Sequence, residues 1–345
     1  MRCRWNRTLS SSSTRADSVS QSRAASAWRD SRKGGSQEPP FPYFVPLTVF
    51  AGASSVRLLS LRSGPPTLPD VTSIPPAWTH LQPDSLKALL EPPGRVPQAI
   101  RLTPYNVPVE AALQVPMVIA ARLLLALAVE KGGLVLTPAG ALKRVDVRHV
   151  FDGTEWPGYD KTTTLAMNKV INEDDAYGVL FTRIVLQAAG LLRKRLGVLK
   201  ATKVGNALLA PEAAPALLAE LFEALFWKVN LQDFDNNPID FWPQHHMGVV
   251  LWSLSVTAHG WSSAASLMES CTIMDTLDKV PRPDLPEFAM VSRVLRPLTW
   301  LGVFESRKQK RHSGRGVDED FRKGALFGQL VAFEVEMKGA EAARH

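Results

Sequence analysis

Residues 184–209 read IVLQAAGLLRKRLGVLKATKVGNALL. The apolar run stops at Gly190, a residue that closes helices because the left-handed conformation costs it nothing. The next stretch, LLRKRLGVLKAT, alternates between apolar and polar. It predicts two short strands joined by a tight basic turn over 194–197, with Leu191 and Leu199 anchoring them on the core. Thr202 then stands where a hydroxyl can cap a closing helix. Helix, strand, solvated turn, returning strand and closing helix is the order that packs a hairpin onto a helical body. The fold class expected is therefore mainly α with small β-hairpins.

The pattern recurs. Residues 123–143 read LLLALAVEKGGLVLTPAGALK, with Leu134 as the strand start, T-P-A-G as the closure and almost no turn between them. Residues 294–330 carry Gly302-Val303-Phe304, a long hydrophilic insert that includes KQKRHSGRG at 308–316, and a closing A-L-F-G in which Ala325 takes the place of the capping Thr. A repeated supersecondary unit fixes architecture before any single residue does. The reading divides the chain into a disordered Ser/Arg/Pro-rich tail (1–76), a first unit (77–160), a second (161–230), a helical connector (231–285) and a third unit (286–345).

Further helices follow from periodicity and end signals. A long apolar helix is predicted over 109–129, ending at Lys131-Gly132-Gly133, and Pro138 is read as the first residue of another. Asn172 followed by Glu173, Asp174 and Asp175 predicts a helix start, because acids in a first turn complement the helix dipole. Apolar residues at 217, 218, 221, 222, 225 and 226 have helical spacing. Helices are also expected over 245–258 and 261–270, after an acidic, Pro-containing loop at 230–243.

The net charge of +7 belongs to one end of the chain. Residues 1–62 hold ten Lys/Arg against three Asp/Glu, which accounts for all of it and leaves the rest neutral. The global basicity is thus no argument that the folded part binds polyanions. Cys3 and Cys271 are far apart and form no C-x-x-C pair, which excludes a disulfide framework and a cysteine zinc site. The longest apolar stretch, 115–129, is broken by Arg122 and falls short of the roughly 20 residues that cross a bilayer. The expectation is a cytoplasmic protein with no membrane partner.

The motifs around the predicted hairpins resemble the winged-helix module of multiple-antibiotic-resistance-type regulators, in which an L-T-x-x-G closure follows a wing. Residues 100–335 more closely resemble a bacterial group of function-unassigned proteins with tandem L-T-x-x-G units. N-E-D-D at 172–175, AGLLRKRLG at 189–197, ALFWKVNLQDFD at 224–235 and RPLTWLGVFE at 296–305 carry that likeness. It implies tandem degenerate winged-helix units joined by a helical segment, and it brings no catalytic residues with it.

Charge at the hairpins supplies the candidate site. Arg193, Lys194, Arg195, Lys200 and Lys203 in the second unit, and Arg307, Lys308, Lys310, Arg311 and Arg315 in the third, are placed to contact phosphates. Arg183 and Gln187, on the preceding helix, are residue types that read guanine and adenine edges. The function expected first is a regulatory protein that binds DNA through basic wings. The alternative is a protein-interaction scaffold of winged-helix units without nucleic acid, which the neutral body favours.

Other constellations are weaker. Asp233, Asp235 and Asn237 open like a calcium loop, but Pro238 stands where that loop needs Gly and Gln244 where it needs Glu. His245 and His246 are adjacent, so their side chains diverge on a helix and cannot share a metal. Trp227, Trp242, Trp252, Trp261 and Trp300 read as core. The chain has no G-x-S-x-G, P-loop, dinucleotide fingerprint or H-E-x-x-H, so no catalytic set, metal or cofactor is nominated.

Overall fold

A computed structural model describes residues 75–90, 95–235, 237–239, 242–272, 284–310 and 317–338. The expected tail, apart from its last two residues, lies outside them. Helices dominate, with small antiparallel sheets of two or three strands, as the class expected from the sequence requires.

After β1 (Ile100–Leu102), the first unit runs α1 (Pro116–Glu130), β2 (Leu134–Val135), α2 (Arg144–Gly153), α3 (Tyr177–Ala188), β3 (Leu192–Arg195), β4 (Val198–Ala201) and α4 (Lys203–Ala207). A connecting helix follows, α5 (Ala214–Glu223), continued by a π turn over Ala224–Lys228. The second unit repeats the order with α6 (Met247–Thr257), β5 (Ser262–Ser263), α7 (Ala264–Cys271) and a helical stretch over 285–300. Then come β6 (Phe304–Lys310), β7 (Val317–Lys323) and α8 (Ala325–Leu330), and β8 (Val331–Phe333) ends the body.

Each unit holds one three-stranded sheet in which the lone strand joins the second strand of the hairpin, giving the orders β2-β4-β3 and β5-β7-β6. Leu134 faces Leu199 and Val135 faces Val198. The stretch 123–143 is therefore not a unit with a vestigial hairpin of its own. It is the opening of the unit that ends in the hairpin 192–201, and the boundary drawn at 160/161 cuts through one sheet. The region 231–285 likewise supplies α6, β5 and α7 to the second unit rather than only connecting.

The two hairpins are equivalent down to single hydrogen bonds. The amide of Gly190 donates to Gln187 O and that of Leu191 to Leu186 O; Gly302 donates to Thr299 O and Val303 to Leu298 O. At the far end of the hairpin, Thr202 N donates to Leu191 O as Gly324 N does to Val303 O. The capping position of α8 is thus Gly324 and not Ala325, and it has no side-chain cap, whereas the Thr202 hydroxyl accepts from Gly205 N at 3.1 Å.

Gly205 shows why this closure is glycine-dependent. A Cβ there would lie 2.4 Å from Leu191 O, and a backbone oxygen has no free rotation with which to yield. Gly205→Ala is expected to lower stability by about 1–3 kcal/mol, read as a drop in urea midpoint with an unchanged slope. The same change at Gly328, where a Cβ meets nothing within 4 Å, should be close to neutral.

Three boundaries differ from expectation. Pro116 restarts the helix predicted over 109–129, because its ring cannot continue the turn Val109–Leu113. Pro138 sits in a turn, with Thr137 N bonded to Ala141 O, and the helix begins only at Arg144. Asn172 does not start α3, which begins at Tyr177. The Asp175 carboxylate instead accepts from the Asn172 amide at 2.8 Å and holds a tight turn.

One contiguous apolar core spans both units, and α1 contributes eight buried residues to it. Trp227, Trp242, Trp252 and Trp300 are buried in it, as expected; Trp261 is not, and lies half-buried under the arginines of the second hairpin. β1 and β8 pair, Ile100 with Phe333 and Leu102 with Val331, and so tie the two ends of the body together.

Candidate functional site

The first hairpin presents its cations without compensation. Leu192 and Leu199 face the core, so the strand alternation turns Arg193, Arg195 and Lys200 outward, and all three are exposed. Lys194 and Lys203 are exposed as well. Among the described residues none of these five has a carboxylate partner.

Arg183 and Gln187 are not placed as a base-reading pair. Arg183 is buried, and its Nε reaches Glu173 Oε1 at 2.5 Å while Nη2 reaches Oε2 at 3.2 Å. Its Nη1 donates to Gln187 Oε1 at 2.8 Å, so the two candidates bond to each other. Glu173 also accepts from Leu142 N at 2.8 Å. The pair fastens α3 to the segment that follows the 137–140 turn. The reason is local: Glu173 lies in the turn before α3, where it can curl back under the helix instead of decorating its start.

The rest of α3 is covered too, for none of its twelve residues is exposed. Phe181 meets Phe234 at 4.9 Å and Trp300 at 5.1 Å between ring centroids, and Tyr177 meets Trp300 at 5.9 Å. Trp300 donates its indole N–H to Pro157 O at 3.1 Å. Burial raises the Tyr177 phenol well above its ordinary range, and Tyr159 as well, against a smaller downward pull from Arg296. Both stay protonated near neutral pH. The stretch 285–300 is the counterpart of α3 in the second unit, and within it only Glu287 is exposed. The two units thus meet through the same helix of each.

The second hairpin carries its own counter-charges. Arg307 pairs with Asp320 at 2.9 Å and Arg322 with Glu305 at 2.5 Å, and both guanidiniums stack on Trp261, 4.6 and 4.5 Å from its ring centroid. Lys308 is exposed and lies opposite Glu319 in the strand register. The side chains of Lys310, Arg311 and Arg315 lie outside the described residues. Cross-strand ion pairs, with Asp320 of β7 and Glu305 of β6 as the acids, make this hairpin a different surface from the first.

The acidic loop is a structural clamp. Arg293, 1% exposed, donates to both oxygens of Asp235, at 2.8 and 3.0 Å, and to the carbonyls of Ile239, Trp242 and Asn237. All five guanidinium protons are used, and Asp235 faces a cation already in place. Among the described residues no group of three His, Cys, Asp or Glu is arranged to hold a metal. Burial pushes the Cys271 thiol up to about 12, so it is not a nucleophile near neutral pH. A cleft beside Phe151, Trp156, Tyr159 and Tyr177 holds about 20 Å³, room for a single water. No helix among the described residues is long and apolar enough to cross a membrane.

Sequence reasoning passed over Leu196. It is 93% exposed at the tip of the first hairpin and has a φ of 49°. The signal was present: a two-residue turn that needs positive φ twice favours Asn-Gly, and this chain has Leu-Gly.

Residues 113–215 match a family described as the Y4jL N-terminal domain. That stretch holds all three strands of the first sheet. An uncharacterized protein, y4jL, of Sinorhizobium fredii (strain NBRC 101917 / NGR234) is 36% identical over 90 residues, 26% of this chain. The match spans 41% of the length of that relative. No solved structure matches the chain.

Proposed function

We propose that the chain is a non-enzymatic, cytoplasmic protein-interaction scaffold built from two winged-helix units, and that it does not read DNA sequence. The observation that carries this reading is the burial of α3. In helix-turn-helix proteins, whose general order this unit shares, the recognition helix lies in the major groove. Here the corresponding helix is the seam between the units. Freeing it would expose Phe181 and Trp300, at about 1.5–3 kcal/mol for each large apolar side chain. Its counterpart over 285–300 offers solvent only Glu287, a charge that phosphates repel.

The DNA-binding reading keeps one support, the uncompensated Arg193, Lys194, Arg195 and Lys200 of the first hairpin with Lys203 at the start of α4, which suit salt-sensitive contacts to phosphates of any sequence. Selection from a pool of random duplexes with the full-length chain separates the two. No motif should be enriched, and residual binding should fall steeply between low and physiological salt. A motif bound more than about a hundredfold over random duplex would overturn the proposal.

A further inference from the structure

The leucine in the turn of the first hairpin does not serve the fold. Leu196 and Gly197 have φ of 49° and 75°. A leucine is strained in that region, where Asn is preferred, and at 93% exposure it gains no burial in return. Strain kept without a folding benefit points to a use elsewhere.

Its surroundings say what that use requires. The register sets Val135, Val198 and Arg195 side by side on the outer face of the sheet, with Arg193 opposite Lys200 one step along. Val135 is 48% exposed although valine packs best when covered. Val135 and Val198 therefore form an apolar pair on this face, with Leu196 at the tip of the hairpin and Arg193, Arg195 and Lys200 around them. A covered apolar centre inside a charged rim is how protein interfaces are built. Phosphates would use the rim and leave the pair and tip in water. The second hairpin pairs Arg307 with Asp320 and Arg322 with Glu305, so an open run of cations is not a by-product of this fold.

Building on the scaffold reading, we infer that this face docks an acidic segment of a partner protein that carries large apolar side chains between its carboxylates. The carboxylates pair with Arg193, Arg195 and Lys200. The apolar side chains cover Val135, Val198 and Leu196.

The test uses the full-length chain and two labelled peptides of equal charge, titrated by fluorescence anisotropy at physiological salt. One has two leucines flanked on each side by three glutamates; in the other, serines replace the leucines. The basic N-terminal stretch attracts both alike, so the ratio of their affinities reports the apolar contact. The leucine peptide should bind about tenfold tighter. Leu196→Asn should bring that ratio close to one while the melting temperature holds or rises, because Asn suits the turn. The double reversal Arg193→Glu with Arg195→Glu should weaken both peptides. An unchanged ratio in Leu196→Asn overturns the inference. So does a short duplex of the same charge that binds tighter than the leucine peptide and is lost in the double reversal. Either result leaves the scaffold proposal to stand or fall on the duplex selection, so the two failures are distinct.

Discussion

Arg293→Ala should be among the most damaging single substitutions in the body, with a loss of about 3–5 kcal/mol on the scale of broken buried ion pairs. The reason lies in what stays behind. Asp235 would keep its place, 5% exposed, with no cation beside it, and the carbonyls of Asn237, Ile239 and Trp242 would lose their donor. Arg293→Lys should lose most of the same energy, since an ammonium has three protons where five are used and cannot match a carboxylate with a planar fork. Arg293→Leu combined with Asp235→Ala should recover a large part of the loss, because a pair removed together leaves no buried charge. Urea denaturation of the four proteins, followed by circular dichroism, gives the comparison. Equal stabilities for the single and double variants would show that the clamp carries no such energy. With total stabilities of about 5–15 kcal/mol for natural domains, the single variant should unfold partially near body temperature.

The second large effect is expected at Arg183. Were it a base-reading side chain on an open face, Arg183→Met would leave stability untouched and alter only binding. Buried against Glu173, it should instead cost about 3 kcal/mol, as should Glu173→Gln, which also weakens the acceptor held by the Leu142 amide. The double variant should cost less than the sum of the two, and that coupling is the mark of a direct pair. Thermal melts report the stability side. Duplex binding measured on the same proteins should stay at wild-type level once each is compared well below its own melting temperature.

Arg183 also shows what could be read in advance and what could not. Its residue type and helical position were legible, but its partner sits ten positions earlier in N-E-D-D, whose composition is that of a helix start. Only the turn closed by Asn172 and Asp175 brings Glu173 beneath α3. The hairpin 192–201 was legible because alternation, a glycine stop and a threonine cap are local signals that all agree. Its third strand was not. Leu134 and Val135 are two residues with no periodicity of their own, and their pairing with β4 closes a loop of more than sixty residues. Grouping the repeats failed for the same reason: strand starts and closing motifs are local signals, while the sheets are assembled by contacts distant in sequence. Arg193, Lys194, Arg195 and Lys200 were legible from their place in the predicted strands and turn. The counter-charges of the second hairpin were visible in V-D-E-D, yet it took the strand register to set Asp320 against Arg307.

The pairing of β1 with β8 gives this molecule a timetable. Ile100 leaves the ribosome long before Phe333, the residue that faces it in the ladder. At ordinary synthesis rates of about 5–20 residues per second, β1 waits on the order of tens of seconds for its partner. During that interval the first unit, complete once α4 is made, can settle around α1, while the second is still being added. The last strand then fastens a body whose two halves have already met.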